Sequence, residues 1–284
     1  MGHCLKKGIC ISWISEYGQF LGTVHGPVSG NVILRRQQYR MADSLDASAE
    51  LARYFVIGKV SNCRTVLLRH ARIVNEPALS VAAENLLGIL KRLSFPLDLD
   101  TVRGIEGDAA HIYFSVFQLL VREGYRKNMR FNGRSRRPPR DEINCLLSFF
   151  YSLLANDVRS ALEGVGLDSQ VGFLHRDRPG RPSLALDMME EFRPYVADRL
   201  ALTLVNRRQV TSASFTRTEA GGYILKEDTR RMLIKAWQER KREDVEHPFL
   251  KEKMTVGMLW HIQARLLARF IRGDMDAYPP FAMR

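Results

Sequence analysis

Residues 172–194 combine an imidazole, several carboxylates and several arginines within one short segment. His175 opens a basic loop, and three acids follow that loop: Asp187, Glu190 and Glu191. In a helix Asp187 and Glu190 share a face, because residues three apart are neighbours on the helix surface, and Glu191 lies at the edge of that face. Carboxylates and imidazole bind divalent cations, and arginine forks bind phosphate. The segment therefore suggests a cation held against a phosphate.

A further candidate ligand, Glu106, lies far upstream between two glycines. Small neighbours let a ligand come close to the backbone. Mg²⁺ prefers carboxylate oxygens, whereas a histidine ligand is more natural for Mn²⁺. Each residue also has a structural explanation, since Glu106 could be a solvated glutamate and the later acids could pair with Arg178 or Arg181. Spacing alone leaves open whether Glu106 and His175 meet at one metal site.

Basic residues are concentrated in two stretches, 122–140 and 176–181. The first holds eight basic residues and one acid, with Tyr125 and Phe131 interleaved. Arginine matches phosphate geometry and aromatic rings can stack on bases. A lone charge run is more often a solvated loop, but the recurrence of arginine at 176–181 favours a shared phosphate-binding surface. The predicted DNA-binding residues are Arg130, Arg134, Arg136, Arg137, Arg178 and Arg181.

The composition narrows the class of protein. A net charge of +12 over 284 residues favours a polyanionic partner such as nucleic acid. The four cysteines have no paired spacing, which argues against a disulfide framework or zinc knuckle and fits a reducing cytoplasm. Charges interrupt every apolar run and no basic-then-apolar leader is present, so we expect neither a membrane span nor a signal peptide.

The hydrophobic pattern predicts a mainly α-helical fold. Two short strands, 8–15 and 19–25, are predicted to pair through a turn at residues 16–18, and the pattern is helical from about residue 46. We expect a remnant of a small β-domain with its linker over residues 1–40 and a large helical catalytic domain over 41–284. The predicted helices cover 46–74, 77–93, 100–123, 141–164, 183–205, 227–243 and 252–272.

Three local signals refine this outline. Ser183 is a predicted N-cap, because its hydroxyl can accept from unpaired backbone N–H groups. Pro194 is expected to kink the helix that follows. Residues 213–226 read as a β-hairpin turning over Ala220-Gly221-Gly222, and the tail after residue 274 is expected to be irregular.

Three runs of sequence resemble one known family, the CRISPR-associated integrases. They are Arg-Gly-Ile-Glu-Gly-Asp-Ala-Ala at 103–110, Asn-Cys-Leu-Leu-Ser-Phe-Phe-Tyr-Ser-Leu-Leu at 144–154, and the segment 172–194. That family is the metal-dependent endonuclease subunit of the spacer-acquisition machinery. The phrases at 175–184, 236–241 and 247–253 are similar to the branch found in type I-C systems.

The resemblance implies a set of metal ligands. In the family a glutamate, a histidine and a later acid bind the catalytic metal, Mg²⁺ or Mn²⁺, and these positions match Glu106, His175 and Glu190. The third ligand is often aspartate elsewhere, and Asp187 is expected as a supporting or alternative ligand. Tyr151 is given no catalytic role, because the residues just before it depart from the pattern of other branches.

The resemblance also implies an activity and partners. A 3′-hydroxyl of a short DNA fragment attacks a phosphodiester of the CRISPR repeat, and with water as nucleophile the same site is a nuclease. The expected partners are double-stranded DNA, CRISPR repeat DNA, a second copy of the chain in a homodimer, and a small companion subunit.

Residues 1–27 resemble only the last helix and strands of the family's N-terminal β-domain. We therefore expect most of that domain to be lacking. In the family that domain builds the dimer, so its loss is expected to impair dimerisation and organised integration. The alternative function is a catalytically silent or truncated nucleic-acid-binding protein that uses its arginine-rich loops.

Overall fold

The computed structural model describes residues 1–6, 11–14, 20–24 and 31–283. Near the N-terminus it contains a short helix, α1 (Gly2–Lys6), and two antiparallel strands, β1 (Ile11–Ile14) and β2 (Phe20–Val24). The described parts of the two predicted strands are thus paired. The predicted turn at residues 16–18 lies outside the described residues.

The body of the protein is helical, which confirms the predicted fold class. Its helices are α2 (Val32–Asp43), α3 (Leu45–Ala71), α4 (Pro77–Arg92), α5 (Leu99–Ser115), α6 (Glu142–Gly164), α7 (Ser183–Met189), α8 (Arg199–Asn206), α9 (Glu227–Arg242) and α10 (Leu259–Arg272). Two antiparallel hairpins are inserted, β3 (Phe215–Arg217) with β4 (Tyr223–Leu225) and β5 (Asp244–Glu246) with β6 (Lys253–Thr255). Within the described residues, no helix is long and apolar enough to span a bilayer.

Several boundaries differ from the predicted ones for local reasons. The third predicted helix ends at Ser115, and a 3₁₀ turn, Phe117–Leu120, follows it. The last helix begins only at Leu259, because residues 253–255 pair with 244–246 in a hairpin that the helical pattern concealed. Ser183 is not an N-cap, and its hydroxyl donates instead to the carbonyl of Arg176 at 3.3 Å.

The helix predicted over 183–205 is interrupted, because α7 ends at Met189 and α8 begins only at Arg199. A single π-helical segment, Arg193–Asp198, contains Pro194 and joins α7 to α8. Wide turns of this kind are frequent at functional sites, because they redirect side chains. Just before this segment, the adjacent acids face different parts of the protein, because Glu190 pairs with Lys59 and Arg193 whereas Glu191 bonds to Tyr278 and Phe281.

Helix α3 is the centre of the fold, and it packs against α4, α5, α7 and the π-helical segment. Leu51, Phe55, Val56, Val60 and Leu67 are fully buried along it. A fully buried large aliphatic or aromatic side chain contributes about 1.5–3 kcal/mol. This apolar packing fixes α3 firmly enough to hold polar residues in the interior.

The C-terminal tail is irregular, as predicted, yet it packs firmly against α3. Asn62 of α3 donates to the carbonyl of Phe281 at 2.8 Å and accepts from the backbone N–H of Met283 at 2.9 Å. Glu191 accepts from the N–H of Phe281 at 2.6 Å and from the hydroxyl of Tyr278 at 2.8 Å. Glu191 therefore anchors the tail and faces away from the other acids.

Gly58 is expected to be essential for this packing. A Cβ at position 58 would lie 2.8 Å from Cγ of Glu191 and 3.2 Å from Cβ of Pro280. We predict that Gly58→Ala lowers the free energy of unfolding by about 1–3 kcal/mol through overpacking. Urea denaturation measures the change.

Gly88 on α4 is the matched control, because a Cβ there meets nothing within 4 Å. Gly88→Ala should raise stability by up to about 1 kcal/mol through helix propensity. Equal effects of the two substitutions would contradict close packing at Gly58.

Candidate metal centre

Glu106 is held on α5 by a well-defined helix start. Asp98 caps this helix by accepting from the backbone N–H of Thr101 at 2.9 Å. Val102 and Ile105 are buried against the core, whereas the side chain of Glu106 is 27% exposed. The carboxylate of Glu106 is thus presented at the edge of the core, where α5 packs on α3.

Glu190 lies immediately after α7 and is buried. Its Oε1 is 2.5 Å from Nη1 of Arg193, and its Oε2 is 2.7 Å from Nζ of Lys59. The same Nζ forms an ion pair with Oε1 of Glu106. One ammonium group from α3 therefore brings together Glu106 and Glu190, the two acids that the sequence proposed as ligands.

These contacts control the ionisation of Glu190 and Lys59. Burial raises the pKa of Glu190, but the positive charges of Arg193 and Lys59 more than offset burial and hold that pKa well below its usual value. Burial lowers the pKa of Lys59, yet Glu190 and Glu106 raise it by more, so it lies above the ordinary value. Glu190 and Lys59 are both charged at neutral pH.

Asp187 positions His175. Its Oδ1 lies 2.5 Å from Nδ1 of the imidazole and accepts the backbone N–H of His175 at 3.0 Å. Its Oδ2 accepts the N–H groups of Phe173 and Leu174 at 2.6 and 2.9 Å. Both oxygens of this fully buried carboxylate are occupied, so a positioning role fits Asp187 better than metal ligation. Because Nδ1 is engaged, Nε2 is the ring nitrogen left for a ligand.

Gly172 makes this arrangement possible. A Cβ at that position would lie 2.7 Å from Cβ of Ser183 and 2.9 Å from Oδ2 of Asp187. The loop can pass close to α7 only because residue 172 has no side chain. This close approach is what puts the backbone N–H groups within reach of Asp187.

Arg103 joins the histidine loop to α5. Its Nε donates to the carbonyl of Leu174 at 2.7 Å. Leu174 directly precedes His175, and Arg103 lies one helical turn before Glu106 on α5. As a result Glu106 and His175 line the same cleft, which has a volume of about 290 Å³ and is bordered by Arg178 and Arg181. The structure therefore brings together the predicted ligands from two distant parts of the sequence.

The donor set suits a hard divalent cation. Two carboxylates and one imidazole are a common combination for Mn²⁺, and carboxylates alone suit Mg²⁺. Oε2 of Glu190 is buried and makes no hydrogen bond, although it lies within ion-pair distance of Lys59. Among the described residues, however, no three His, Cys, Asp or Glu side chains are already grouped tightly enough to hold a metal. The ammonium of Lys59 lies between the two glutamates instead.

Comparison with known proteins identifies the family. Residues 1–239 match the family model described as CRISPR associated protein Cas1. The chain belongs to the Cas1 family. It is 53% identical to the CRISPR-associated endonuclease Cas1 1 of Chlorobaculum tepidum, over all of this chain and 84% of that protein. It is 48% identical to the CRISPR-associated endonuclease Cas1 2 of Rhodospirillum rubrum, over 99% of this chain and 83% of that protein.

Solved structures show the same fold. A CAS1 protein from Thermotoga maritima has a TM-score of 0.80 at 27% identity, covering 98% of this chain and 83% of that one. A casposase bound to its integration product has a TM-score of 0.81 at 26% identity, covering 99% of this chain and 77% of the casposase. The predicted Cas1-type family is confirmed, whereas the type I-C branch, the shortened β-domain and the domain boundaries remain predictions.

Sequence reasoning missed Lys59 and Arg193, the cations that neutralise Glu190. Arg193 also stacks over the ring of Tyr151, with 4.8 Å from guanidinium carbon to ring centroid. The hydroxyl of Tyr151 donates to Asp198 at 2.7 Å, so Tyr151 belongs to a polar cluster beside the candidate metal centre. The sequence offered one signal for Lys59, which lies within the apolar run 55–60. A charged residue on the core side of a helix needs a partner of opposite charge.

The six predicted DNA-binding arginines do not behave alike. Arg134 points inward, and its guanidinium donates to Asn144 at 2.7 Å and to Ser148 at 3.2 Å, so it braces the loop. Phe131 is buried in the core and cannot stack on a base. The side chains that remain exposed are Arg130, Arg136, Arg137 and Arg178, and Arg181 is half-buried.

The two basic loops approach each other beside the cleft. The pKa of Arg181 is lowered by partial burial and then by the like charges of Arg178 and, more weakly, Arg136. Arg136 belongs to the first loop and the other two to the second, so both loops contribute to one positive surface. That surface borders the cleft of Glu106 and His175.

Asp187 is expected to be the most sensitive position of the histidine loop. We predict that Asp187→Ala lowers the free energy of unfolding by about 3 kcal/mol or more, because three buried N–H groups lose their acceptor at about 1–3 kcal/mol each. Urea denaturation tests this. Asp100→Ala, which removes an exposed partner of Arg103 and Arg176, should change stability little. Equal effects of the two substitutions would contradict the positioning role.

Proposed function

We propose that this protein is a metal-dependent DNA endonuclease and integrase. It inserts short DNA fragments into CRISPR repeat DNA by attack of a 3′-hydroxyl on a phosphodiester. Family membership supports the proposal, as do the names of the relatives, which are called endonucleases. The similar casposase was solved bound to an integration product. The observation that carries the proposal is the convergence of Glu106, His175 and Glu190 beside one basic surface.

Glu106, His175 and Glu190 would hold Mg²⁺ or Mn²⁺. When bound, the metal would neutralise charge on the phosphoryl oxygens and assist the attacking and leaving oxygens. Asp187 holds the imidazole in one orientation and keeps its proton on Nδ1, so Nε2 stays available. Arg193 keeps Glu190 ionised, which a ligand to a hard cation must be.

The surrounding arginines supply the binding energy for DNA. Arg178 and Arg181 border the cleft, and Arg136 extends the positive surface into the first loop. Guanidinium groups bind phosphate oxygens in pairs of hydrogen bonds, which fixes the backbone in position. Holding the scissile phosphate near the acids converts a bimolecular reaction into an effectively unimolecular one.

The partners follow from the same proposal. Double-stranded DNA is both fragment and target, a second copy of the chain forms a homodimer, and a small companion subunit completes the acquisition complex. The proposed location is the cytoplasm, and the proposed branch is the one of type I-C systems.

We predict that Glu106→Gln and His175→Ala each reduce Mn²⁺-dependent cleavage of branched DNA by more than about 100-fold, because either change removes a metal ligand worth several kcal/mol. A gel assay with purified protein measures cleavage. DNA affinity in chelator should be unchanged, which separates chemistry from binding. Normal cleavage by either folded variant would refute the site.

A catalytically silent DNA-binding protein is the second candidate. The ammonium of Lys59 between the two glutamates favours it, because that cation already neutralises the acids. Such a protein would bind DNA through its arginines with an affinity indifferent to chelator and to Glu190→Gln. Cleavage that depends on Mn²⁺ excludes it.

We predict that the double variant Arg136→Gln/Arg178→Gln makes the fall of log affinity with log salt concentration shallower by about 2, because each lost phosphate contact removes about 0.9 from the magnitude of the slope. Fluorescence anisotropy from 50 to 300 mM salt (about the range that resolves such slopes) gives the slope. The matched control is Arg231→Gln/Lys235→Gln, two exposed cations on α9 that pair with acids of their own helix. The same loss in the control would show that general charge, and not this surface, governs binding.

A further inference from the structure

A second cavity, of about 370 Å³, lies on the side of α3 that is turned away from the candidate metal centre. Three arginines line it, Arg64, Arg69 and Arg72. Ser61 also lines it and comes two residues after Lys59, and residues two apart on a helix do not share a face. Because Lys59 contacts the acids of the metal centre, this space, here named the α3 cavity, is a separate site.

The positive charge of the α3 cavity is poorly compensated. Arg64 has one carboxylate partner, Glu84, at 4.0 Å, and the side chain of Glu84 is 69% exposed. An ion pair of that length at the surface contributes little. Within residues 31–283, neither Arg69 nor Arg72 forms an ion pair. Three guanidinium groups therefore share one distant acid.

The guanidinium of Arg64 also keeps an unsatisfied donor. Its Nε is buried and has no hydrogen-bond partner among the described residues. Nearly all buried polar atoms in proteins are hydrogen-bonded, so this donor calls for an acceptor. The dipole of α3 does not supply one, because it acts within the last turn of the helix and Arg64 lies two turns before the end at Ala71. An anion in the cavity would supply it.

Further cations lie near Arg69. Burial lowers the pKa of Arg199, and the like charges of Arg240 and, more weakly, Arg69 lower it as well. Tyr195 offsets part of this effect on the pKa, and the guanidinium groups of Arg199 and Arg240 lie over its ring at 4.8 and 5.3 Å from the centroid. Arg240 pairs with Glu243, whereas Arg69 has no such partner within residues 31–283. The surroundings thus add to the attraction for an anion.

The rest of the lining is mainly apolar and includes Leu68, Leu90 and Met283. The tail is fixed there, because the hydroxyl of Thr65 donates to the carbonyl of Met283 at 2.9 Å and the N–H of Met283 donates to Asn62 at 2.9 Å. The cavity is therefore preformed. Its volume falls in the range of about 300–1,000 Å³ that is typical of small-molecule sites, so a lone phosphate ion would leave much of it unfilled.

We propose that the α3 cavity binds a nucleotide. The phosphate groups lie among Arg64, Arg69 and Arg72, because guanidinium forks match phosphate oxygens with pairs of hydrogen bonds. The base lies against the apolar part of the lining, which removes its faces from water. The nucleotide is either free or the phosphorylated end of a nucleic-acid strand. This site goes beyond the proposed function and does not depend on the metal centre.

Binding of the fluorescent nucleotide mant-ADP in the absence of divalent cations tests the proposal. Fluorescence anisotropy measures the affinity, and the wild type should bind with a Kd below about 1 mM. Arg64→Gln/Arg72→Gln should bind at least about 10-fold more weakly, because it removes charge-assisted hydrogen bonds to phosphate. Unlabelled ADP should displace the probe, whereas adenosine, which has no phosphate, should not.

Two double variants with the same loss of charge are controls. Arg136→Gln/Arg178→Gln lies in the basic surface beside the cleft, and Arg231→Gln/Lys235→Gln lies on α9. Both should bind mant-ADP like the wild type. Arg72 is exposed, so Arg72→Gln alone replaces the double variant if circular dichroism shows that the latter is unfolded, and it should weaken binding several-fold.

The dinucleotides pTpT and TpT distinguish the two sources of phosphate. Displacement of mant-ADP by pTpT as effectively as by ADP, with TpT inactive, supports binding of a strand end. Displacement by ADP alone supports binding of a free nucleotide.

Three results would overturn the proposal. They are no binding of mant-ADP by the wild type, equal losses of affinity in the cavity variant and in Arg136→Gln/Arg178→Gln, and displacement by adenosine as effective as by ADP. Since the assay contains no metal ion, each of these results leaves the proposed Mn²⁺-dependent cleavage to its own test.

Discussion

The pairing of Lys59 with Glu106 and Glu190 is the interaction on which the site depends. A charge buried alone costs several kcal/mol, so the buried ammonium of Lys59 and the buried carboxylate of Glu190 each require a partner of opposite charge. The requirement ties together three elements that are distant in sequence: helix α3, helix α5 and the chain after α7. The apolar packing of α3 provides the rigid support, and Arg193, the first residue of the π-helical segment, completes the charge balance.

The histidine loop is held by a second, independent set of contacts. Asp187 gathers three backbone N–H groups and the imidazole on one buried carboxylate, and Gly172 makes that approach possible. Arg103 then fastens the loop to the helix that carries Glu106. His175 is therefore positioned by hydrogen bonds rather than by charge neutralisation.

The sequence predicts most of the helices after residue 45 because their apolar residues recur at helical spacing, but it misses α2 (Val32–Asp43). It predicts Glu106, His175 and Glu190 as a group only through family resemblance, since spacing carries no information about contacts between distant segments. Lys59 was missed for the same reason, as its partners lie on other elements. Ser183 was misread because a residue suited to capping donated to a loop carbonyl instead. The partition of Glu190 and Glu191 between the site and the tail depends on their partners in distant segments, Lys59 for Glu190 and Tyr278 for Glu191, which no pattern of residue types reveals.

Anomalous diffraction from a crystal soaked in Mn²⁺ would test the central claim most directly. The account predicts one anomalous peak at about 2.1 Å from carboxylate oxygens of Glu106 and Glu190 and near Nε2 of His175, with the ammonium of Lys59 displaced from between the two glutamates. A fully soaked crystal that shows no peak there, with Lys59 still bridging the two glutamates, would contradict it.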